Sequence, residues 1–329
     1  MTSIKRDSRL DILRIVAILM IVLMHSPMPN SGTPGFLLSS ISYLTAPGLV
    51  LFFMISGSLL LDNKLSSKEF LRRRLSKVLF PTLFWTLFYL LVRYVDQIPS
   101  ITVALKSVLS IPFSAQGHGV LWFMYVLVGL YLLTPILSQW LSSASKREVE
   151  FYLFLWVVTL LYPYLSRWLH INESTTGVLY YFAGYVGYYV LGFYLKSHYE
   201  YRLWHIILAL TIAIVVPLAL LLSGVKFDFY SMLWYLSLPV AMMAFAFYEL
   251  IMQLPNKQMT IASQISQLSF GIYFVHIFIM RKILWNLDVV YSLPWMVQIP
   301  VIVLSTFVLS LFMSWVISRF SFRKYIIGV

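Results

Sequence analysis

Ten apolar stretches, each about 17 to 24 residues long, place the tightest limit on how this sequence can fold. A helix needs about 20 apolar residues to cross a hydrocarbon core of roughly 30 Å, and only helices and closed barrels satisfy their backbone polar groups in lipid. The stretches are 12–28, 45–61, 78–96, 120–141, 151–168, 178–196, 203–223, 230–252, 264–286 and 295–318. The sequence therefore predicts an all-α polytopic membrane protein with about ten transmembrane helices, which form a single domain over residues 1–329.

The composition supports a membrane location and excludes several kinds of functional site. Hydrophobic residues make up 60% of the chain and charged residues 11%, against about 25% charged residues in an average soluble domain. There is no cysteine, so disulfides, thiolate metal sites and thiol nucleophiles are excluded. The sequence also lacks the spacing of a metal site or of a phosphate-binding glycine loop. We therefore predict that the protein holds no metal.

The basic residues are distributed unevenly, and this distribution predicts the orientation. Cytoplasmic loops of membrane proteins carry an excess of lysine and arginine. With the N-terminus in the cytoplasm, 18 of the 24 basic residues fall on the inner side. Those left at the outer side or outer rim are Arg93, Lys106, Arg167, Lys226, Arg281 and Lys282. The bias predicts that both termini are cytoplasmic, and it explains the formal charge of +12 without a nucleic-acid partner.

The first apolar stretch carries two residues that are costly to expose to lipid, Arg14 and His25. They are eleven positions apart, about three helical turns plus 20°, so both side chains leave the helix on one face, roughly 16 Å apart along the axis. Asp11 precedes Arg14 by three residues, close enough to pair with it. The spacing leaves two interpretations open. The stripe faces protein or water and is functional, or the arginine snorkels to the inner interface while the histidine marks the outer end of a short span.

Two features lie where the second stretch meets the inner surface. Ser56 and Gly57 interrupt its apolar run, and the small residue Gly57 predicts a close helix crossing. The segment that follows contains three consecutive arginines, Arg72, Arg73 and Arg74. Arginine binds phosphate through a two-pronged hydrogen-bonded fork, so the segment suits a nucleotide or a coenzyme pyrophosphate. A topology anchor at anionic lipid headgroups explains the same residues equally well.

The predicted outer side offers weaker candidates. We expect residues 29–44 to form an uncharged external loop, and residues 97–119, which include His118, to lie at the outer interface or to re-enter the membrane. Trp122 and Tyr125 follow at the start of the fourth stretch. Such aromatic residues suit an interfacial belt, and they also suit a surface on which sugar rings stack.

The ninth stretch carries Ser266, Ser269, Tyr273 and His276 at steps of three, four and three residues. This spacing predicts that the four side chains share one helical face. A histidine buried in a membrane is a functional-site hypothesis by default. A structural histidine that bonds to Tyr273 or Ser269 is the alternative.

Motifs along the whole chain resemble those of acyltransferase family 3, a family of integral membrane acyltransferases. In chain order they are LDILR, RIVAILMIVLMH, FFMISGSLLL, RRRLSKVLFP, LWFMYVLVGLYLLTP and SFGIYFVHIFI. Each motif is weak by itself, but together and in register they are fairly specific. Within the family, the chain is most similar to the short single-domain O-acetyltransferases of surface polysaccharides, such as the type that acts on enterobacterial common antigen.

The resemblance implies a multi-pass acyltransferase of the bacterial cytoplasmic membrane. Its donor would be cytosolic acetyl-CoA or another acyl-CoA, and its acceptor a hydroxyl of an extracytoplasmic glycan or lipid-linked saccharide. His25 would deprotonate that hydroxyl or carry the acyl group for a short time. Arg14 would orient the thioester arm or the histidine, and Asp11 would support Arg14.

The resemblance also implies roles for residues outside the first helix. Arg72, Arg73 and Arg74 would meet the phosphates of the coenzyme. Further pocket and supporting residues would be Trp122, Tyr125, His276, Ser56 and Arg93, the last of which has Asp96 as a candidate partner.

Three alternatives stay open on the sequence. A non-enzymatic flippase or exporter of lipid-linked glycans would have similar composition, but it would need neither His25 nor CoA. A second alternative keeps the reaction and changes the donor, for example to succinyl-CoA. Transfer can be direct or pass through an acyl-histidine, and the acceptor glycan and oligomeric state are not determined.

Overall fold

The computed structural model describes residues 6–29, 32–63, 65–115, 119–170, 177–224 and 226–329. Every regular secondary-structure element in these ranges is a helix, which confirms the all-α prediction. His118, in the predicted interfacial segment, lies outside the described residues.

The helices are numbered in chain order, and short π and 3₁₀ turns join some of them. The first nine are α1 (Ser8–His25), α2 (Gly35–Thr45), α3 (Pro47–Leu60), α4 (Ser67–Phe70), α5 (Ser76–Asp96), α6 (Ile101–Ser110), α7 (Trp122–Ser143), α8 (Lys146–Leu169) and α9 (Val186–Ser197). The others are α10 (Leu203–Leu222), α11 (Phe229–Met232), α12 (Leu238–Met252), α13 (Thr260–Gln267), α14 (Ser269–Phe278), α15 (Asp288–Tyr291), α16 (Trp295–Ser318) and α17 (Arg323–Ile326). Two π-helical turns, Leu71–Leu75 and Ile279–Ile283, follow α4 and α14.

Six helices of the described chain are long and apolar enough to cross a membrane, or seven if the bent pair Thr260–Gln267 and Ser269–Asn286 forms one span. The six are Gly35–Leu60, Ser67–Asp96, Trp122–Ser143, Lys146–Leu169, Leu203–Leu222 and Trp295–Ile317. All ten predicted stretches contain helix, but α1 carries three ionised residues, and α9 and α12 are only 12 and 15 residues long. The chain is thus a multi-pass membrane protein, and the count of ten spans and the cytoplasmic termini stay predictions.

Three local predictions need correction. The predicted loop 29–44 contains α2, which runs almost directly into α3, and the uncharged, largely apolar stretch Gly35–Leu60 is long enough to cross a membrane. The third predicted span begins earlier than expected, since α4 and a π-helical turn continue into α5. The ninth predicted span is interrupted at Leu268, so Ser266 does not share a continuous helical face with Ser269, Tyr273 and His276.

The described chain divides into two compact units, the first of which comprises Met1–Asn63 and Leu137–Ser266. In this unit α3 packs against α1, α9 and α12, and α10 packs against α12. A methyl group on Gly57 of α3 would lie 2.7 Å from the carbonyl carbon of Tyr189, and one on Gly192 of α9 would lie 2.5 Å from the carbonyl carbon of Met54. Two helix backbones therefore meet with glycine on both sides, and the close crossing predicted at Gly57 is confirmed.

The second unit comprises Lys64–Ile136 and Gln267–Val329. Its core pairs α5 with α14 through aromatic rings, with Trp85 stacked on Phe274 at 5.9 Å between ring centroids. The hydroxyl of Tyr89 on α5 donates a 2.7 Å hydrogen bond to the carbonyl oxygen of Phe274. The C-terminal α17 also packs on α5, where the indole of Trp85 donates to the carbonyl oxygen of Ile326 at 2.8 Å. An unsatisfied polar group costs several kcal/mol in lipid. The hydrogen bonds of Tyr89 and Trp85 therefore stabilise the packing of α5 against α14 and α17.

Candidate active site

Arg14 and His25 both lie on α1, which is an uninterrupted helix, and His25 is its last residue. Ile18 and Ile21 lie between them within about 40° of the same angular position. These two side chains are only 0% and 2% exposed. The buried residues of α1 form an arc that extends to both sides of this stripe, while Arg14 and His25 are themselves half-buried. The stripe therefore lies on the side of α1 that packs against the protein, and both interpretations of Arg14 stay predictions.

Asp11 is the most deeply buried charged group near this stripe, with 2% of its surface exposed. Its carboxylate accepts two hydrogen bonds from the Arg6 guanidinium, at 2.7 Å and 2.6 Å. A third bond comes from the hydroxyl of Ser266 at 2.7 Å. The principal charge partner in the structure is therefore Arg6, and the support of Arg14 by Asp11 stays a prediction. Arg6 was not predictable as a partner from the sequence, because it precedes the apolar stretch.

The start of α1 is fixed by further polar contacts in the same unit. Asp7 caps the helix and pairs with Arg9, whose guanidinium also donates to the carbonyl oxygen of Met252 at 2.8 Å. Burial works to raise the pKa of the Asp7 carboxyl, but the bonds and charge of Arg9 outweigh it and leave that pKa below its usual value. The pKa of Arg6 is raised, chiefly by its hydrogen bond to Asp11. Both ion pairs therefore favour their charged forms and hold the end of α1 in place.

Ser56, the predicted supporting residue, is buried on α3 beside the glycine crossing. The side chain that forms hydrogen bonds across this crossing is that of Ser58, two residues further on. The hydroxyl of Ser58 lies 2.8 Å from the carbonyl oxygen of Gly192 and 2.8 Å from the hydroxyl of Tyr248. The ammonium of Lys196 donates to the backbone carbonyl oxygen of Ser58 at 2.9 Å. The sequence analysis missed this network because its members come from three distant segments.

Arg72, Arg73 and Arg74 lie on the π-helical turn that connects α4 to α5, and all three are exposed. Arg73 forms an ion pair with Glu69 at 2.6 Å. For Arg72 and Arg74, the described residues provide no carboxylate partner. The guanidinium groups of Arg72 and Arg74 are therefore each available to an anion from solution. π-helical turns are rare, and they occur frequently at functional sites.

The predicted aromatic pocket residues lie at the start of α7. Trp122 is its first residue and is half-buried. The hydroxyl of Tyr125 donates to the carbonyl oxygen of Ile111 at 2.7 Å and lies 2.9 Å from the hydroxyl of Thr86. Tyr125 thus connects α5 to the turn after α6, which is a structural contact that does not exclude a role in a pocket.

His276 is completely buried on α14. Its Nδ1 atom lies 2.5 Å from the carbonyl oxygen of Tyr273, and the two rings are 5.6 Å apart. The hydroxyl of Tyr273 in turn donates to the carbonyl oxygen of Val120. These contacts agree with the structural alternative for His276, although the bond goes to the main chain rather than to a side chain.

Arg93 is exposed near the C-terminal end of α5. The suggested pair with Asp96 is wrong, because Asp96 forms its ion pair with Lys282 at 2.5 Å. Lys282 lies on the π-helical turn after α14. The approach of this turn to α5 could not be predicted from the sequence, because the two segments are far apart along the chain.

The first unit also contains an open cavity of about 320 Å³. Half of its lining residues are aromatic, and they come from the end of α7, from α8, from the 3₁₀ turn Tyr180–Phe182 and from α9. On its wall the Trp156 indole packs directly over Gly187, where no larger residue fits. None of the predicted site residues lines the cavity. In the described chain, no group of three or more histidine and carboxylate side chains is arranged to hold a metal ion.

These features define a class of protein: a multi-pass helical membrane protein whose first helix presents an arginine and a histidine to the protein interior. The family model described as an acyltransferase domain matches residues 7–319. The chain therefore belongs to acyltransferase family 3 and is a membrane acyltransferase. No curated protein and no solved structure matches it.

Proposed function

We propose that this acyltransferase transfers an acetyl group from cytosolic acetyl-CoA to a hydroxyl of an extracytoplasmic or lipid-linked glycan. The observation that carries the proposal is the stripe of Arg14 and His25, which lies in the buried arc of α1. A cation and an imidazole inside a membrane protein cost free energy of folding, so a functional role is the default hypothesis for both. This function requires access to cytosolic acetyl-CoA and to an extracytoplasmic acceptor, so we place the protein in the bacterial cytoplasmic membrane, with both termini in the cytoplasm.

In the proposed reaction, His25 is the general base. Its imidazole accepts the proton of the acceptor hydroxyl while the hydroxyl oxygen attacks the thioester carbonyl. The C–S bond breaks, and the departing thiolate of coenzyme A takes the proton back from the imidazolium. Arg14 orients the thioester or stabilises the negative charge on its oxygen in the transition state. In the two-step variant, the imidazole first takes the acetyl group from the thioester, and the acceptor hydroxyl then removes it.

Arg72 and Arg74 bind the phosphates of the coenzyme in this proposal. Both guanidinium groups are exposed and lack a carboxylate partner among the described residues, whereas Arg73 is already paired with Glu69. Phosphate accepts the two parallel hydrogen bonds of a guanidinium group, so each of these exposed arginines suits one phosphate of the coenzyme.

The catalytic proposal is tested with purified protein, radiolabelled acetyl-CoA and a surface-polysaccharide acceptor. We expect His25→Asn to lower the transfer rate about 10²- to 10⁴-fold, the usual contribution of a general base. His170→Asn is the matched control, since His170 is exposed and its left-handed backbone tolerates asparagine. Equal rates for the two folded variants would contradict the role of His25. Label that stays on wild-type protein quenched rapidly in detergent denaturant at neutral pH, and is absent from His25→Asn, identifies the acyl-histidine route.

The coenzyme site is tested by measuring CoA affinity as a function of salt. We expect Arg72→Gln/Arg74→Gln to weaken CoA binding about tenfold or more and to flatten its salt dependence, because two charge-assisted contacts are lost. Lys146→Gln/Arg147→Gln removes two consecutive exposed cations elsewhere and is the control. Unchanged affinity in the first variant would leave the arginines as a topology anchor. A wild-type protein that moves glycans without any CoA dependence would favour the flippase alternative.

A further inference from the structure

Both π-helical turns in the described part of the chain carry consecutive basic residues. The turn Leu71–Leu75 holds Arg72, Arg73 and Arg74, and the turn Ile279–Ile283 holds Arg281 and Lys282. The two turns lie at opposite ends of α5, because the first leads into this helix and Lys282 of the second is paired with Asp96 at its last residue. α5 has 21 residues, so it separates them by about 31 Å, one hydrocarbon thickness.

The second turn and the end of α5 form one group of charges, which we name the Arg93 cluster: Arg93, Asp96, Arg281 and Lys282. Lys282 and Asp96 are 2.5 Å apart. The guanidinium of Arg281 lies 5.5 Å from the ring centroid of Trp285.

Helix geometry places Arg93 on the same face of α5 as Asp96, the partner of Lys282. Tyr89, Arg93 and Asp96 follow each other at steps of four and three residues, so they share one face of α5. Asp96 is the partner of Lys282, the residue that follows Arg281 in the turn. The Arg93 side chain therefore projects from the face that the basic turn approaches.

The cluster has three cations and one acid. The described residues offer no carboxylate to Arg93 or Arg281, since Asp96 is taken by Lys282. Like charges that gather at a membrane surface repel each other unless an anion joins them. The positive-inside bias assigns this end of α5 to the external side, where basic residues are otherwise depleted. A topology signal therefore does not explain the cluster.

We propose that the Arg93 cluster binds the phosphate or pyrophosphate group that joins a saccharide acceptor to its polyprenyl membrane anchor. Two guanidinium groups and an ammonium suit a multivalent phosphate, with arginine supplying the two-pronged bonds. Such a linkage group lies at the level of the lipid headgroups, and its polyprenyl chain lies in the hydrocarbon. α6 begins five residues after Asp96 and exposes Ile101, Leu105 and Val108 on one face, an apolar surface that suits the chain.

The role of the saccharide as acyl acceptor rests on the proposed function, but the binding of a prenyl pyrophosphate does not. The probe is therefore radiolabelled geranylgeranyl pyrophosphate, added to the full-length protein in nanodiscs of phosphatidylcholine. We expect Arg93→Gln/Arg281→Gln to weaken its binding about tenfold or more, because two charge-assisted contacts are removed. Arg319→Gln is the matched control, since Arg319 also lies over an indole, 4.6 Å from the centroid of Trp315. Arg93→Lys/Arg281→Lys preserves the charge and is expected to bind at an intermediate level.

Competition separates the sources of the phosphate. We expect inorganic pyrophosphate to displace the probe only at concentrations about tenfold or more above those of unlabelled geranylgeranyl pyrophosphate, because it lacks the buried chain. Equal competition by inorganic pyrophosphate would overturn the lipid-linked ligand. Displacement by phosphatidylglycerol at ordinary membrane fractions would overturn it as well, in favour of general headgroup binding. Equal probe binding by the wild type and the double glutamine variant would refute the site itself.

Failure of this proposal can be told apart from failure of the proposed function. CoA affinity of the Arg93→Gln/Arg281→Gln variant is expected to equal that of the wild type, and it also reports that the variant is folded. If the wild type shows no acetyl transfer but the double variant loses the probe, the lipid-phosphate site stands and the acylation is wrong. If transfer to a lipid-linked acceptor proceeds with the same KM in both proteins, the acylation stands and the site is wrong.

Discussion

The crossing of α3 and α9 yields the sharpest stability prediction, for Gly57→Ala. The added methyl group would lie 2.7 Å from the carbonyl carbon of Tyr189 and nearer still to its oxygen. Ordinary carbon contacts begin near 3.5 Å, so the helices must separate by about 1 Å. The obstructing atoms belong to a helix backbone and cannot rotate away. Overpacking of this kind costs about 1–3 kcal/mol, and we expect the upper end of that range.

A second contribution comes from the hydrogen bond that the crossing supports. The hydroxyl of Ser58 lies 2.8 Å from the carbonyl oxygen of Gly192, and a shift of about 1 Å breaks this bond at a further cost of about 1 kcal/mol. Alanine regains about 1 kcal/mol through its helix propensity. The net destabilisation expected for Gly57→Ala is therefore about 3 kcal/mol.

Gly129→Ala is the matched control, because Gly129 is also helical but no atom lies within 4 Å of the position of its added methyl group. It should be neutral or stabilise by up to about 1 kcal/mol. The assay is the apparent melting temperature in detergent, followed by the loss of monodisperse protein on size exclusion. We expect Gly57→Ala to melt about 5–10 °C below Gly129→Ala. Equal melting temperatures would refute the close backbone contact, and Gly192→Ala should add little to Gly57→Ala because the helices are already apart.

The remaining predictions concern single polar contacts. Asp11→Asn removes a buried, fully bonded carboxylate and should cost about 3–5 kcal/mol, visible as a lower melting temperature at neutral pH. The pKa of the Asp7 carboxyl is lowered in the folded protein, so its pair with Arg9 stabilises fully above the usual aspartate pKa of about 3.9, and this stabilisation disappears as the pH falls through the lower folded pKa. Asp7→Asn should therefore reduce the acid sensitivity of the melting temperature between pH 5 and 3, and an unchanged pH profile would contradict the pairing. Trp85→Phe keeps the aromatic packing but loses the 2.8 Å bond to the carbonyl oxygen of Ile326. It should cost about 1–3 kcal/mol and expose the C-terminus to carboxypeptidase.

The sequence predicted those features that depend on spacing within one helix. The stripe of Arg14 and His25 requires only an unbroken α1, and the crossing at Gly57 requires only a small residue in an apolar helix. The break at Leu268 and the two π-helical turns were not predictable, because tertiary packing decides where a helix departs from regular geometry. For the same reason the sequence paired Asp96 with its neighbour Arg93, whereas the structure pairs it with Lys282.

The distribution of charged groups over two helices suggests how the kinetic effects of mutations should divide. α1 carries the acid–base group of the proposed reaction, and α5 has cations at both ends but no titratable group with an evident chemical role between them. A contact that is equally strong in the ground state and the transition state lowers KM without raising kcat. Substitutions at either end of α5 should therefore raise KM, for acetyl-CoA at the Arg72–Arg74 end and for the acceptor at the Arg93 end. Substitution of His25 should lower kcat for every acceptor. A variant at Arg93 or Arg281 that lowers kcat at saturating acceptor, with an unchanged KM, would show that the Arg93 cluster takes part in the chemical step rather than in recognition.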